Sequence, residues 1–416
     1  MLEKLHLKNV GPAPELEMEF APRVNLITGD NGLGKSFLLD VAWWALTNSF
    51  FEKIITPAHW NIVPQLDFKV SGKKSATAKS YFFSYGFFNW QDTTHKSDVS
   101  HESVNFGTGI VVYSSIEGSF AIHDPMRGKE NSHTVLHGQL LWDGTPVESG
   151  NKVVSNGLIR DWVTWQLENA EAFQQFKAAL AMLSPHEGEK LEPGKLTRVS
   201  LDDARDIPTL KMPYGQEVPI TQASAGIRRV VSLAYMLVWT WQEHLRAAEL
   251  TRQEPAREIV LLIDELEQHL HPRWQRVILP AILETVKELM KSDVRVQIVA
   301  TTHSPFVMAS LEPLYDNAQD AWFDLNLVKG KVTLEKMPWY KRGGIEDWVI
   351  SEAFDLDSSG SVERERALEQ AAKVIDDPKV TKTKFLNADK TLRAALSETD
   401  EFWVRWRYIG EKRGWL

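Results

Sequence analysis

The sequence predicts an α/β fold, a mixed sheet flanked by helices, with β-rich and helical lobes inserted and a helical C-terminal tail. Three observations predict it. Val24–Thr28 is a short apolar run that leads through a glycine-rich loop into a helical pattern. Ile259–Ile263 is a second apolar run, the length of a buried strand, and it stops at two adjacent carboxylates. Val296–Thr302 is a third, and it stops at a histidine. Buried strands alternating with amphipathic helices are the pattern of a sheet covered on both faces.

Composition agrees. Of 416 residues, 43% are hydrophobic and 25% charged, enough apolar material for a sizeable core. The sixteen tryptophans suggest aromatic packing layers or partner surfaces. A net charge of −9 argues against nucleic acid covering the whole surface, but leaves room for a local basic groove. The absence of cysteine removes disulfides, thiolate chemistry and cysteine-based zinc sites. Met1–Pro12 alternates charged and apolar residues and lacks the apolar stretch of a secretory signal. The richest apolar run, Leu233–Trp241, is too short to span a bilayer. A cytoplasmic protein without a membrane partner is expected.

Taken in order, Leu2–Leu7 and Leu16–Phe20 alternate as strands do, with Pro12, Pro14 and Pro22 as punctuation. Lys35 to about Asn48 reads as a helix, because Leu38, Val41, Ala42, Ala45 and Leu46 recur at helical spacing. Phe50–Val147 reads as a β-rich lobe, with aromatic-rich Tyr81–Trp90 and strands at Gly109–Tyr113 and Ser119–Ile122. Gly157–Leu183 reads as one helix and Pro185–Pro193 as a polar break. A long helix runs from Ala223 to about Ala248, and another spans Arg273–Met290. Ala321–Lys336 reads as a hairpin turning at Gly330, and the chain beyond Gly344 as mainly helical. The expected division is a head made of residues 1–50 and 223–340, an inserted region 51–222, and a helical region 341–416.

Gly29-Asp30-Asn31-Gly32-Leu33-Gly34-Lys35-Ser36 matches the phosphate-loop pattern in full, with the strand before it and the helix after it that the pattern requires. Glycines let successive N–H groups turn inward onto phosphate oxygens, and the helix N-terminus adds partial positive charge. Asn31, Gly32, Gly34, Lys35, Ser36 and Phe37 are the expected nucleotide-binding residues. Lys35 would reach the β- and γ-phosphates of ATP, and the Ser36 hydroxyl would ligate Mg²⁺. Phe37 stands where such loops usually carry a second hydroxyl.

Asp264 and Glu265 close the second strand, the Walker B pattern. An acidic capping turn alone would explain two carboxylates here; a phosphate loop upstream favours a division of labour. Asp264 would hold Mg²⁺, and Glu265 would orient and deprotonate the attacking water. His303 ends the third strand, at the rim where α/β sheets bind ligands, and would sense the γ-phosphate.

Ser224-Ala225-Gly226-Ile227-Arg228-Arg229 opens the long second helix. Alone, Ser224 could be an ordinary N-cap. The order phosphate loop, Ser-x-Gly helix start, Walker B strand and histidine resembles the ABC-type ATPases of the SMC/RecF/OLD branch. The resemblance covers about residues 1–48 and 220–336. It implies an ABC ATPase head in which Ser224 and Gly226 cover the γ-phosphate held by a second copy. The chain would thus act as a homodimer around two nucleotides. Ala223 and Ala225 depart from the usual signature. Glu265-Leu266-Glu267-Gln268-His269-Leu270-His271-Pro272 is similar to the loop after the catalytic glutamate in OLD-like and PtuA-like ATPases, with Leu266 in place of the usual proline. A zinc site at His269 and His271 competes weakly, since no further ligand cluster accompanies them. Gln65, Gln139 and Gln166 are candidates for the Mg²⁺-sensing glutamine of the family.

No long heptad array and no second ATPase set are visible. The tail acids Asp355, Asp357, Asp376, Asp377 and Asp389 do not follow apolar strands, so no nuclease is expected in this chain. What remains resembles the PtuA-type and PARIS-type ATPases of anti-phage defence, which implies a nucleotide switch that scaffolds and restrains a separate effector nuclease or toxin. A RecF-like DNA-repair ATPase is the alternative. Trp403, Arg405, Trp406, Arg407, Tyr408, Lys412, Arg413 and Trp415 interleave bases and aromatics, as a nucleic-acid surface does. A helix that docks its aromatics and leaves its charges solvated reads the same way.

Overall fold

The structure, a computed structural model, describes residues 1–51, 62–72, 76–82, 88–92, 109–127, 133–143, 146–149, 151–290, 294–354, 356 and 358–416. Residues 83–87 of the aromatic-rich segment, and Asp355 and Asp357 of the tail, lie outside the described residues. The chain divides into two units, Met1–Gly343 and Gly344–Leu416.

The first unit is built on an eight-stranded mixed sheet. Its five central strands are parallel and run in the order Asp320–Val328, Val24–Gly29, Arg295–Thr301, Glu258–Ile263, Ile110–Ser114. Every residue of Glu258–Ile263 and of Ile110–Ser114 is buried, so these strands read as unbroken apolar runs. Antiparallel strands close both sides, Lys331–Met337 at one and Phe120–His123 with Thr134–Leu136 at the other. The stretch from Ile110 to Leu136, expected within the inserted region, therefore extends the head's own sheet. The turn of the Asp320–Met337 hairpin falls at Lys329-Gly330, both with positive φ.

A second, antiparallel sheet joins Ala13–Glu19, Leu2–Val10, Gln65–Val70, Ala76–Phe82 and Phe88–Asp92. Its strand Ala13–Glu19 alternates as the sequence predicts, with Leu16 and Met18 buried and Glu15, Glu17 and Glu19 exposed. The helix Lys35–Thr47 shares one core with both sheets. It is apolar almost all round, as a helix covered on every side must be. Trp44 meets Phe68 of the antiparallel sheet edge-on at 5.9 Å, and Trp43 meets Tyr113 of the main sheet at 6.2 Å. Tyr113 Oη also donates to Asp40 Oδ1 at 3.1 Å.

Two expected helices are broken. Gly157–Leu183 is a pair, Leu158–Leu167 and Glu171–Met182, because Asn169 turns left-handed between them (φ +48°), a conformation asparagine tolerates better than most residues. Arg273–Met290 likewise separates into Pro272–Gln275 and Ile278–Met290. The helix Ala225–Thr251 is continuous for 27 residues. No helix among the described residues is long and apolar enough to cross a membrane.

The second unit consists of the helices Ile345–Val349, Val362–Asp376, Lys382–Ala395 and Phe402–Lys412. Its last helix resolves the aromatic-basic interleaving. Trp406 is buried, stacked on Phe385 at 4.2 Å, and its Nε1 donates to Asp389 Oδ1 at 3.0 Å. Trp403 is buried too, with Nε1 donating to the Ser397 carbonyl at 2.7 Å. Arg405 and Arg407 are exposed. Trp403 and Trp406 are core, while Arg405, Arg407 and Tyr408 face solvent.

Candidate active site

The phosphate loop, the Asp264–Glu265 pair and His303 each follow the C-terminal end of a parallel strand. The phosphate loop follows Gly29, Asp264 and Glu265 follow Ile263, and His303 follows Thr301. The histidine strand lies between the other two. With strands about 4.8 Å apart, all three chain ends come within reach of one small ligand.

The phosphate loop is shaped by its glycines. Gly29 has φ +127° and Gly34 +103°, where L side chains are strained. A Cβ on Gly34 would also stand 2.6 Å from Pro12 Cγ, and one on Gly29 would overlap the Leu325 carbonyl. Asn31 and Gly32 form the exposed tip. Lys35 is buried, and its Nζ donates to the carbonyls of Gly29 (2.7 Å) and Asp30 (2.8 Å). Burial pulls its pKa below the ordinary lysine value, against the attraction of Glu265, Asp264, Asp30 and Glu267. Ser36 is half-buried in the first helical turn. The Phe37 ring packs on the core and on Gly11, where any Cβ would run into it. What Phe37 offers a phosphate is its backbone N–H.

The acidic edge is interlocked with the histidine strand. Thr301 Oγ1 donates to Asp264 Oδ1 at 2.7 Å and accepts from the Glu265 N–H at 2.7 Å. Glu265 has φ +45°, a left-handed conformation that a non-glycine residue adopts when its surroundings impose it. Burial, then the nearby carboxylates of Glu267 and Asp264, raise the Glu265 pKa, which suits a group that must accept a proton. Burial and then Lys35 lower the pKa of His303. Its Nε2 is buried and has no hydrogen-bond partner among the described residues. Ser36 and Asp264 offer hard oxygen donors, the ligand chemistry that Mg²⁺ takes.

Ser224 and Gly226 belong to another element, the start of the helix Ala225–Thr251. Ser224 caps the helix Ala225–Thr251, its Oγ accepting from the Ile227 N–H at 3.4 Å. A Cβ on Gly226 would lie 2.6 Å from the His269 carbonyl oxygen, so glycine lets the helix start abut the loop after the acidic strand. Beside them is a cleft of about 360 Å³ lined by Gln139, Trp142, Arg228, Gln268 and His269, among others. Gln65 hydrogen-bonds Asp67, and Gln166 holds the Gly194 carbonyl and the Trp162 indole, so neither of these glutamines has a bond to the acidic edge. His271 Nδ1 caps the short helix after it.

Sequence reasoning missed several members of the site. Thr301 and Thr302 read as ordinary strand residues, and Glu267 as part of a loop. Arg229 spans from the long helix to the carbonyls of Ser115 (3.1 Å) and Asp264 (3.4 Å), and burial pushes its pKa down to about 10. The hydroxyls of Ser114 and Ser115, at the end of the neighbouring strand, are buried without hydrogen-bond partners among the described residues.

Comparisons with known proteins find two AAA-domain matches along the chain. An AAA-domain family model matches residues 4–111. A second AAA-domain model, described with the AbiEii toxin and Type IV TA system, matches residues 136–309. The chain is 31% identical over 161 residues to the Retron Ec83 probable ATPase of Escherichia coli, covering 38% of this chain and 26% of that protein. It is 28% identical over 133 residues to the Septu protein PtuA of Bacillus mycoides, covering 32% and 16%. The matches thus span about a quarter and a sixth of those relatives' own lengths. Among solved structures, the SMC head domain from Thermotoga maritima is similar with a TM-score of 0.40 and 15% identity, covering 81% of this chain and 99% of that one. The chain is similar to AAA-domain sequence over both segments, with the phosphate loop in the first matched segment and the acidic and histidine strands in the second.

Proposed function

We propose that the chain binds and hydrolyses ATP as a homodimer, and that the nucleotide cycle makes it a switch and scaffold for a separate effector nuclease or toxin in anti-phage defence. One observation carries the ATPase reading. Lys35, fixed inside its loop, lies within the electrostatic reach of Glu265 and Asp264, and beside them is an imidazole nitrogen of His303 that has no partner among the described residues.

In this reading the loop N–H groups and Lys35 hold the β- and γ-phosphates. Ser36 and Asp264 are the residues that would hold Mg²⁺, which supplies charge neutralisation on the phosphate oxygens. Glu265 accepts the proton of the attacking water as its oxygen bonds to the γ-phosphorus and ADP leaves. His303 Nε2 donates to the γ-phosphate when it carries the proton. Ser224 and Gly226 of a second copy close over that phosphate.

The named relatives support the defence setting, and the buried tryptophans of the last helix weaken the case for a repair ATPase that grips DNA there. The test has two parts. In size-exclusion chromatography with light scattering, Glu265→Gln with Mg-ATP should run as a dimer and Lys35→Ala as a monomer; equal masses would count against the nucleotide dimer. Affinity purification of the chain from its own gene neighbourhood should recover a stoichiometric nuclease or toxin. Recovery with recombination proteins instead would turn the reading to DNA repair.

A further inference from the structure

We propose that Glu267 is a positioning residue for His303, fixing the histidine to the turn that carries Glu265; this rests on the ATPase reading above. Both of its carboxylate oxygens are spent on one short segment. Oε2 accepts from Thr302 Oγ1 at 2.7 Å, and Oε1 accepts from the His303 N–H at 2.5 Å. These bonds cross 35 and 36 positions of sequence. Such charge-assisted bonds are short and strongly directional.

The place where they act is where the sheet stops helping. The histidine strand pairs with the phosphate-loop strand as far as Thr301. The Thr302 N–H still reaches the Ile27 carbonyl at 3.1 Å. The His303 N–H is the next amide, and it goes to Glu267. Neighbouring bonds reinforce the fastening. Thr302 Oγ1 accepts from the Ser304 N–H at 3.0 Å, Ser304 Oγ donates to Gln275 Oε1 at 2.6 Å, and Gln275 Nε2 donates to the Leu270 carbonyl at 2.8 Å. The His303 amide and the side chains of Thr302 and Ser304 are therefore held by Glu267 and Gln275, while the Thr302 amide stays with the sheet.

The consequence is mechanical. Glu265, left-handed at φ +45°, lies two residues before Glu267, so the proton acceptor and the histidine share one support. The same loop abuts Gly226 through the His269 carbonyl. Displacing the loop displaces both groups together.

The test is steady-state ATP turnover by the full chain, with nucleotide affinity and melting temperature measured in parallel, for Glu267→Ala, Glu267→Gln, His303→Ala and the Glu267→Ala/His303→Ala double variant. Glu267→Ala should lower kcat about 10- to 100-fold, as loss of a group that orients a working residue does. ATP affinity should stay within about twofold. Glu267→Gln should keep most of the turnover, because its amide oxygen can still accept from His303 and its NH₂ can donate to Thr302 Oγ1. In the His303→Ala background, Glu267→Ala should cost little more, since both changes remove the same contribution. Additive losses, unchanged kcat in Glu267→Ala, or a Gln variant as impaired as Ala would each overturn the proposal. Should Glu267→Ala fail to fold, Thr302→Val removes one of the two ties and should lower kcat less than His303→Ala does; full turnover would overturn it. A wild-type chain that binds ATP without hydrolysing it would instead remove the ATPase reading, and the proposal with it.

Discussion

The two sides of the nucleotide edge are built in opposite ways. On one side the phosphate loop makes its geometry from consecutive residues, and Lys35 finds its carbonyl partners only five and six positions away. On the other side, Asp264, Glu265 and Glu267 are held by Thr301, Thr302 and His303, whose bonds to them cross 35 to 37 positions. The loop depends on local backbone freedom. The acidic edge depends on the register of two parallel strands, which pairs Ile263 with Ala300 and so brings Asp264 level with Thr301. A contiguous motif can carry its own shape; an edge assembled from two strands inherits its shape from the sheet.

Breaking the local side should have the largest effect. Lys35→Ala removes a buried ammonium from the phosphate seat, and Mg-ATP affinity measured by titration calorimetry should fall by more than about 100-fold, the scale of losing a charge-assisted contact. Tight binding by this variant would mean that the loop does not hold the nucleotide.

Breaking the long-range side should spare binding and damage turnover. Thr301→Val keeps the volume but leaves Asp264 Oδ1 and the Glu265 N–H without their partner. Turnover should fall roughly 10-fold, and denaturant unfolding should show a loss of about 1–3 kcal/mol for the orphaned groups. Unchanged values in both would show that Thr301 does not register the edge. Gly226→Ala sharpens the comparison further. Its Cβ would press on the His269 carbonyl oxygen, so the loop must shift, at a stability cost of about 1 kcal/mol or somewhat more. Turnover should fall with it while Mg-ATP affinity at Lys35 holds; loss of affinity in proportion would mean the two sides are not separable. The smallest change is expected from Ser224→Ala, whose cap is exposed and whose bond is long at 3.4 Å. The folded monomer should lose about 0.5–1 kcal/mol in thermal unfolding. A larger loss would place Ser224 in the chain's own packing rather than at an interface.

What could be read from the sequence follows the same line. The phosphate loop, the acidic strand end and the histidine announce themselves by short motifs at the ends of apolar runs, and each lies where those runs predict. The parallel sheet is legible for the same reason, because Glu258–Ile263 and Ile110–Ser114 are buried along their whole length. The ties between motifs are not legible. Nothing in Thr301 or Glu267 taken singly says that Thr301 meets Asp264 and Glu265 or that Glu267 meets Thr302 and His303, since hydrogen bonds across 35 to 37 positions are a property of strand order. The extension of the main sheet by Phe120–His123 and Thr134–Leu136 is not legible, because short antiparallel strands read like any β-rich segment. The break at Asn169 was hidden because the apolar spacing continues across it. In the last helix, tryptophans and arginines alternate in a way that fits either a binding surface or a docked helix, and only the burial of Trp403 and Trp406 decides between them.

The account stands most directly on ATP turnover by the purified chain and by Glu265→Gln. The wild type should release phosphate from Mg-ATP. Glu265→Gln should bind Mg-ATP as tightly and release phosphate about 100- to 1,000-fold more slowly, the scale expected when a general base is lost. Full turnover by Glu265→Gln would assign the water to another residue and contradict the reading of this edge as the catalytic one.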